Sequence, residues 1–247
     1  MPTQSLTRAI TQSLTRKPTD PGLGGGGAAP SFAPDATFFA GASGYAYDPF
    51  DYSKAFQDSA GATPVTGNGQ SLGRLTDLSG NGNHRTQATS AKKPLTAAGG
   101  YTLDDFDDGM SSAPSTAAGG AWTHLVRINI GADASAALIY GNDPNSYFAV
   151  YQSGGFLSTG NGITLTDIKV GGSATADNRG TLYTALNGGA KTMVTRMSAV
   201  DHALWASVVK VGDYVGFACG ATIGREILIN RDLSAGDLAD AIAWIES

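Results

Sequence analysis

A single cysteine, Cys219, is all that this chain of 247 residues contains, so no disulfide can close within it. It lies in the apolar run V-G-F-A-C at 215–219, where a thiol reads as a buried small hydrophobe. Charge is scarce as well: 15% of residues carry it, with a net of −5. That balance offers no footprint for neutralising phosphates, so nucleic acid is not an expected partner. No run of about 18 apolar residues occurs, which argues against membrane insertion by a spanning helix. Arg8, Arg16 and Lys17 lie near the start, but Thr, Gln and Ser fill the place of the roughly 7 to 15 apolar residues that a signal peptide needs. The expectation is synthesis in a cytoplasm, with passage outside only as part of something released by lysis. The three histidines, His84, His124 and His202, are scattered and no G-x-S-x-G elbow is present, so nothing points to a nucleophilic triad.

Glycine, in contrast, is abundant at 34 residues, accompanied by many Thr, Ser, Ala and Asn. This composition predicts short strands joined by tight turns. With 41% hydrophobic residues the chain can bury a core, and its length suits one all-β unit.

The first feature of organisation is a repeat. Residues 3–8 read T-Q-S-L-T-R, and residues 11–16 read the same again. On a helix, Leu6, Ile10 and Leu14 form an apolar stripe with Arg8 and Arg16 beside it. On a strand, the even period keeps both Leu and both Arg on their respective faces. A segment this short is marginal alone in water and is expected to order against a partner. A disordered or merely duplicated tail is the alternative. The docking reading makes residues 1–20 an extended arm with Leu6, Arg8, Ile10, Leu14 and Arg16 as its contacts. Residues 21–30, with Gly24 to Gly27 bracketed by Pro21 and Pro30, have the composition of a flexible linker.

From residue 31 to 247 the pattern predicts one β-rich domain. Residues 122–130 (W-T-H-L-V-R-I-N-I) alternate as a half-buried strand does. Further strands are expected at 137–140, 147–151, 162–170, 181–186, 191–196, 204–209, 214–218 and 226–230. Turn sequences at 141–145, 153–155, 187–189 and 211–213 separate them, with Asn187-Gly188-Gly189 read as a hairpin. Only the last stretch looks helical: Ser234 can cap it, and Leu238, Ala241, Ile242 and Ile245 recur at helical spacing.

Three stretches carry a likeness to a known family: Tyr47-Asp48-Pro49, Phe56 to Gly61 (F-Q-D-S-A-G) and Asp77 to His84 (D-L-S-G-N-G-N-H). Phe106-Asp107-Asp108-Gly109 and the closing Glu226 to Ser234 add to it. Together they resemble the concanavalin A-like (laminin-G-like) lectin/glucanase domains of phage and prophage structural proteins, and the repeat is similar to leader segments of small phage structural proteins. The resemblance implies an all-β, concanavalin-like antiparallel β-sandwich (jelly roll) with a short C-terminal helix. It implies a non-enzymatic virion surface protein, of the head decoration or head fibre type, made in a bacterial host. Its expected partners are the major capsid protein or another virion protein, host surface polysaccharide, and further copies of itself in a homo-oligomer. A tail fibre or tail tip receptor binder and a glycan depolymerase are the alternatives.

Because the resembled fold includes glycoside hydrolases, a catalytic pair deserves weighing. Such chemistry needs two carboxyl groups about 5 to 9.5 Å apart. The chain has only two glutamates, Glu226 and Glu246, and no E-x-D-x-E pattern, so no catalytic residue is assigned. Sugar binding instead pairs aromatic platforms with polar groups. Tyr140, Tyr147, Tyr151 and Trp205, with Asn142, Asp143 and Asn145, are the candidates. Asp104, Asp105, Asp107 and Asp108 form an acidic stretch that is a weak candidate for calcium. It lacks the D-x-D-x-D-G spacing, and a solvated turn with Phe106 pointing inward is the plainer reading. No other cofactor is expected. His84 is expected to bond locally, and His124 to lie on a sheet face.

Overall fold

The alternating and apolar runs become antiparallel sheet. The computed structural model describes residues 32–104, 107–112, 120–130, 137–142, 146–151, 163–200, 209–212 and 220–247. Its strands are β1 (Gly44–Tyr47), β2 (Ala55–Phe56), β3 (Arg74–Leu75), β4 (Arg85–Thr86), β5 (Leu95–Ala97), β6 (Gly100–Leu103), β7 (Gly109–Ser112) and β8 (Trp122–Ile130). Then follow β9 (Ala137–Asn142), β10 (Ser146–Tyr151), β11 (Ile163–Val170), β12 (Ser173–Ala174), helix α1 (Arg179–Leu186), β13 (Lys191–Val200), β14 (Val209–Gly212), β15 (Ala221–Ile229) and helix α2 (Ala235–Glu246).

Two sheets result. The first runs β12-β11-β13-β8-β15-β6-β5, with β1 also paired to β15. The second runs β10-β9-β14-β7-β4-β3-β2. Leu75 and Met110 of the second sheet share one core with Val126, Ile128, Ile223 and Leu228 of the first. The arrangement is compatible with an all-β sandwich. On the far side of the first sheet, Leu125, Val194, Ile227 and Ile229 are covered by Ala241 and Ile245 of α2 and by Phe39. Phe32–Ser247 forms one unit.

Two glycines set how closely β15 is approached. Gly44 opens β1 at φ 135° and Gly100 opens β6 at φ 130°. A Cβ at either would stand 1.9 Å from a β15 carbonyl oxygen, that of Leu228 or Ile223 respectively. Only glycine fits both that backbone and that contact.

One irregularity in β15 decides the content of the core. Ile223 pairs with Ile128 and Glu226 with Val126, so Gly224 and Arg225 together oppose Arg127 in a β-bulge. Strict alternation would put Ile223 and Glu226 on opposite faces. The extra residue returns both to the interior, 0% and 1% exposed. Arg225 is thereby left on the outer face, where it donates to Asp48 Oδ2 at 2.9 Å and to the Trp244 carbonyl at 2.8 Å.

Four expectations need correction. Residues 181–186 are not a strand but most of α1: Asn178 caps it by accepting from Thr181 N at 3.1 Å, and Leu182, Tyr183 and Leu186 bury one side. The β-prone Thr and Tyr side chains yielded there to the cap and the helical spacing of that apolar face. Asn187-Gly188-Gly189 therefore joins α1 to β13 and makes no hairpin. Gly141 and Asn142 continue β9, and Val211 and Gly212 belong to β14, because their ladder bonds to neighbouring strands outweigh their turn composition. The strand expected at 214–218, with Cys219, and most of that at 204–209 lie outside the described residues. Ser234 caps α2 as its sequence predicts, accepting from Asp237 N at 3.1 Å.

Candidate functional site

Among the described residues, Arg85, His124 and Glu226 gather buried ionisable groups between the sheets. Arg85 of β4 reaches across the core to Glu226 of β15: Nη2 donates to Oε1 at 3.0 Å and Nη1 donates to Oε2. Tyr45 Oη donates to Glu226 Oε1 at 2.8 Å, and His124 Nε2 lies 3.0 Å from the same oxygen. Arg85 Nη1 also donates to Tyr101 Oη at 3.1 Å. The guanidinium lies over the Tyr45 and Tyr47 rings, 5.0 and 4.5 Å from their centroids. Alternation explains the pair of tyrosines: two residues apart on β1, they share the inner face and stack at 4.7 Å.

Burial alone would raise the Glu226 carboxyl. Arg85, with the hydrogen bonds from His124 and Arg85, overrides it and brings the group down to about 2. The reverse holds for Arg85: burial opposes its charge, and Glu226 holds it above its ordinary value. Burial, aided by the Glu226 charge, raises Tyr45, and burial pushes Tyr101 up to about 12. Glu226 is thus an ionised carboxylate sealed from solvent and fully engaged. Chemically the cluster ties one sheet to the other. Sequence reasoning noted Glu226 and His124 singly and missed Arg85. The available signal was a glutamate at the head of the apolar run Ile227-Leu228-Ile229, which cannot be buried without a cation.

The motifs that carry the family likeness are loop closures, each built on one aspartate. Asp77 Oδ1 accepts from Ala46 N at 3.0 Å and Ser79 N at 2.9 Å, while Oδ2 accepts from Ser79 Oγ at 2.7 Å and Asn83 N at 2.9 Å. Asn81 and Asn83 donate through their side-chain amides to the Gly44 carbonyl, at 3.1 and 2.6 Å. The D-L-S-G-N-G-N-H loop therefore bonds along β1 on the side away from β15, covering what would be a free strand edge. His84 does bond locally: its Nδ1 accepts from Asp77 N at 3.1 Å. Burial and the Arg74 charge lower its pKa. Asp58 accepts from the backbone N–H groups of Gly61, Ala62 and Thr63, which hold its carboxyl well below the usual range. Asp48 takes the Arg225 guanidinium, and Tyr47 Oη donates to the Asn83 carbonyl.

Of the expected sugar-binding residues, Tyr140 is in register with Phe148 and Val211, Tyr147 with Gly141 and Tyr151 with Ala137. Asn142 pairs with Ser146. Asp143, Asn145 and Trp205 lie outside the described residues, as do the docking residues Leu6, Arg8, Ile10, Leu14 and Arg16.

Of the acidic stretch, Asp105 and Phe106 are likewise outside. Asp104, Asp107 and Asp108 bring carboxylate oxygens within 4.8 Å of one another. Asp104 Oδ1 accepts from Asp107 N and Asp108 N at 3.1 and 3.0 Å, and Asp108 Oδ2 accepts from Asp104 N at 3.0 Å. The carboxylates of Asp104 and Asp108 thus close their own turn. Burial, reinforced by the Asp104 and Asp107 charges, pushes Asp108 up to about 6 against the pull of the Asp104 N–H.

Comparison with known proteins finds no matching family model, no matching curated protein and no matching solved structure.

Proposed function

We propose that the chain is a bacteriophage virion component: an N-terminal arm docks on a capsid or other virion protein, a glycine tether gives reach, and a concanavalin-like jelly roll projects outward. The observation that carries this reading is the order of parts. A twice-written T-Q-S-L-T-R and a Pro/Gly segment precede a unit that begins at Phe32. A short repeated peptide followed by a Pro/Gly segment and a separate compact unit is the form of a docking arm. The body's own chemistry agrees with a display role. The motif aspartates Asp48, Asp58 and Asp77 close loops, and Glu226 is held by Arg85 inside the core, so none of them stands ready as a general acid. Head decoration or head fibre is the leading version. Many copies on one particle would turn weak glycan contacts into useful avidity.

The test is cryo-electron microscopy of particles assembled with the full chain or with residues 2–20 deleted. Density for the sandwich on the head that vanishes in the deletion supports the reading, and the same result at the tail supports a receptor-binding fibre. Undiminished occupancy by the truncated chain would overturn the docking role of the arm. Absence of both forms from particles would overturn the virion assignment and favour a free lectin or a glycan depolymerase.

A further inference from the structure

Asparagine followed by glycine is a pairing in which a backbone can modify its own side chain. This chain has it at Asn68-Gly69, Asn81-Gly82, Asn161-Gly162 and Asn187-Gly188. The glycine nitrogen attacks the asparagine carboxamide carbon, and glycine, lacking a Cβ, obstructs that approach least. In a folded chain the rate depends on whether both groups are free to meet. Asn161-Gly162 lies outside the described residues, and the other pairs are held very differently.

At Asn68-Gly69 both groups are engaged. Gly69 N donates to the Thr96 carbonyl at 2.7 Å, and Asn68 Oδ1 accepts from Tyr52 Oη at 2.6 Å. Asn187 is half-buried between α1 and β13, bridged to Ile130, and its own N–H donates to the Tyr183 carbonyl at 2.9 Å. Asn81 and Gly82 belong to the D-L-S-G-N-G-N-H loop, and both are exposed. Gly82 N donates to no described residue, and a Cβ added to Gly82 would meet nothing within 4 Å. The Asn81 amide is held through Nδ2 alone, which donates to the Ala42 and Gly44 carbonyls at 3.3 and 3.1 Å. Long bonds at an exposed residue contribute little, so they slow the reaction without preventing it. An open cavity of about 380 Å³, lined in part by Phe39, Ser43, Gly80 and Asn81, admits water to the same amide.

We infer that Asn81 is a site of spontaneous modification, at which the Gly82 nitrogen converts the carboxamide to aspartate and isoaspartate. The step balances with water alone. Gly82 N gives up its proton to solvent and bonds to Asn81 Cγ, while Nδ2 takes a proton and departs as ammonia, leaving a cyclic succinimide. Water added at Cγ restores the ordinary peptide with an aspartate side chain. Water added at the main-chain carbonyl carbon leaves isoaspartate, whose backbone is one methylene longer. Either product loses the Nδ2 donor and sets a carboxylate against the Ala42 and Gly44 carbonyls. Isoaspartate also lengthens a loop whose Ser79 N and Asn83 N are both fixed to the Asp77 carboxylate. The loop that covers the β1 edge therefore loosens as the chain ages.

The experiment incubates the purified full chain in warm, mildly alkaline buffer, native or in urea. Each Asn-Gly pair is followed by peptide mapping with mass spectrometry that separates aspartate from isoaspartate. In the native chain Asn81 is expected to convert several-fold faster than Asn68 and Asn187, and in urea the rates converge. Hydrogen exchange at Ala46 N is expected to be several-fold faster in the aged chain than in fresh protein. Asn81→Asp reproduces part of that rise without ageing. Asn81→Gln, whose longer side chain closes its ring far more slowly, shows no rise on ageing. An Asn81 rate no higher than that of Asn68 or Asn187 in the native chain would overturn the site. Unchanged exchange at Ala46 N in a converted chain would overturn its effect on the loop.

Discussion

Arg85 and Glu226, 141 positions apart, form an ion pair in which neither side chain has more than 1% of its surface in water. Dehydrating two such groups costs several kcal/mol each, and their attraction repays this only while both are present. The pair is better understood as a condition on the fold than as a gain in stability.

Removing one partner should therefore be worse than removing both. Glu226→Gln leaves the Arg85 cation buried without a counter-charge, and a loss of about 3–5 kcal/mol is expected. Arg85→Met combined with Glu226→Leu should be less destabilised than Glu226→Gln alone. Urea unfolding midpoints of the parent chain and the two variants decide it, and a double variant no more stable than Glu226→Gln would refute the coupling.

Two carboxyls should give stability opposite slopes with pH. Asp108 titrates near 6 when folded against an ordinary 3.8. Between those values the folded chain holds a proton that the unfolded chain lacks, so stability rises as pH falls through that window. Glu226 titrates near 2 against an ordinary 4.5. There the unfolded chain takes the proton first, so stability is lost as pH falls from 4.5 towards 2. Urea midpoints between pH 7 and 2 should show a rise followed by a fall. Asp108→Asn should flatten the first limb and leave the second.

The Asp77 loop should hold β1 in place. Asp77→Ala removes an acceptor that serves three backbone N–H groups and the Ser79 hydroxyl. A loss of about 3 kcal/mol is expected, since hydrogen bonds to a buried charge are among the stronger ones. Hydrogen exchange at Ala46 N should accelerate more than at Val126 N in the middle of the first sheet. Equal protection in both chains would mean that β15 alone secures β1.

Much of this fold was legible because side chains alternate. The run W-T-H-L-V-R-I-N-I gave β8 with its exact ends, and Ser234 gave the start of α2. What alternation could not provide was parity across an insertion. Read evenly, residues 221–229 send Glu226 outward, and nothing local in Gly224-Arg225 announces a bulge. The helix α1 was hidden by β-prone Thr and Tyr, whose preference its buried Leu182 and Leu186 override. The motif aspartates looked like a family signature, and their role in closing loops emerged only when each carboxylate could be followed to its N–H partners.

The bulge at Gly224 and Arg225 also bears on how the chain avoids pairing its strands wrongly. A β15 laid down one residue out of step, without the bulge, would present Arg225 to the interior and turn Glu226 to the side that holds Asp48. Arg85 would then face a second guanidinium across the core, and two carboxylates would crowd the rim. Such a slip is opposed by like charges at both places, in addition to the misplaced Ile227 and Leu228. The interior cation thus proofreads the register of the strand opposite it.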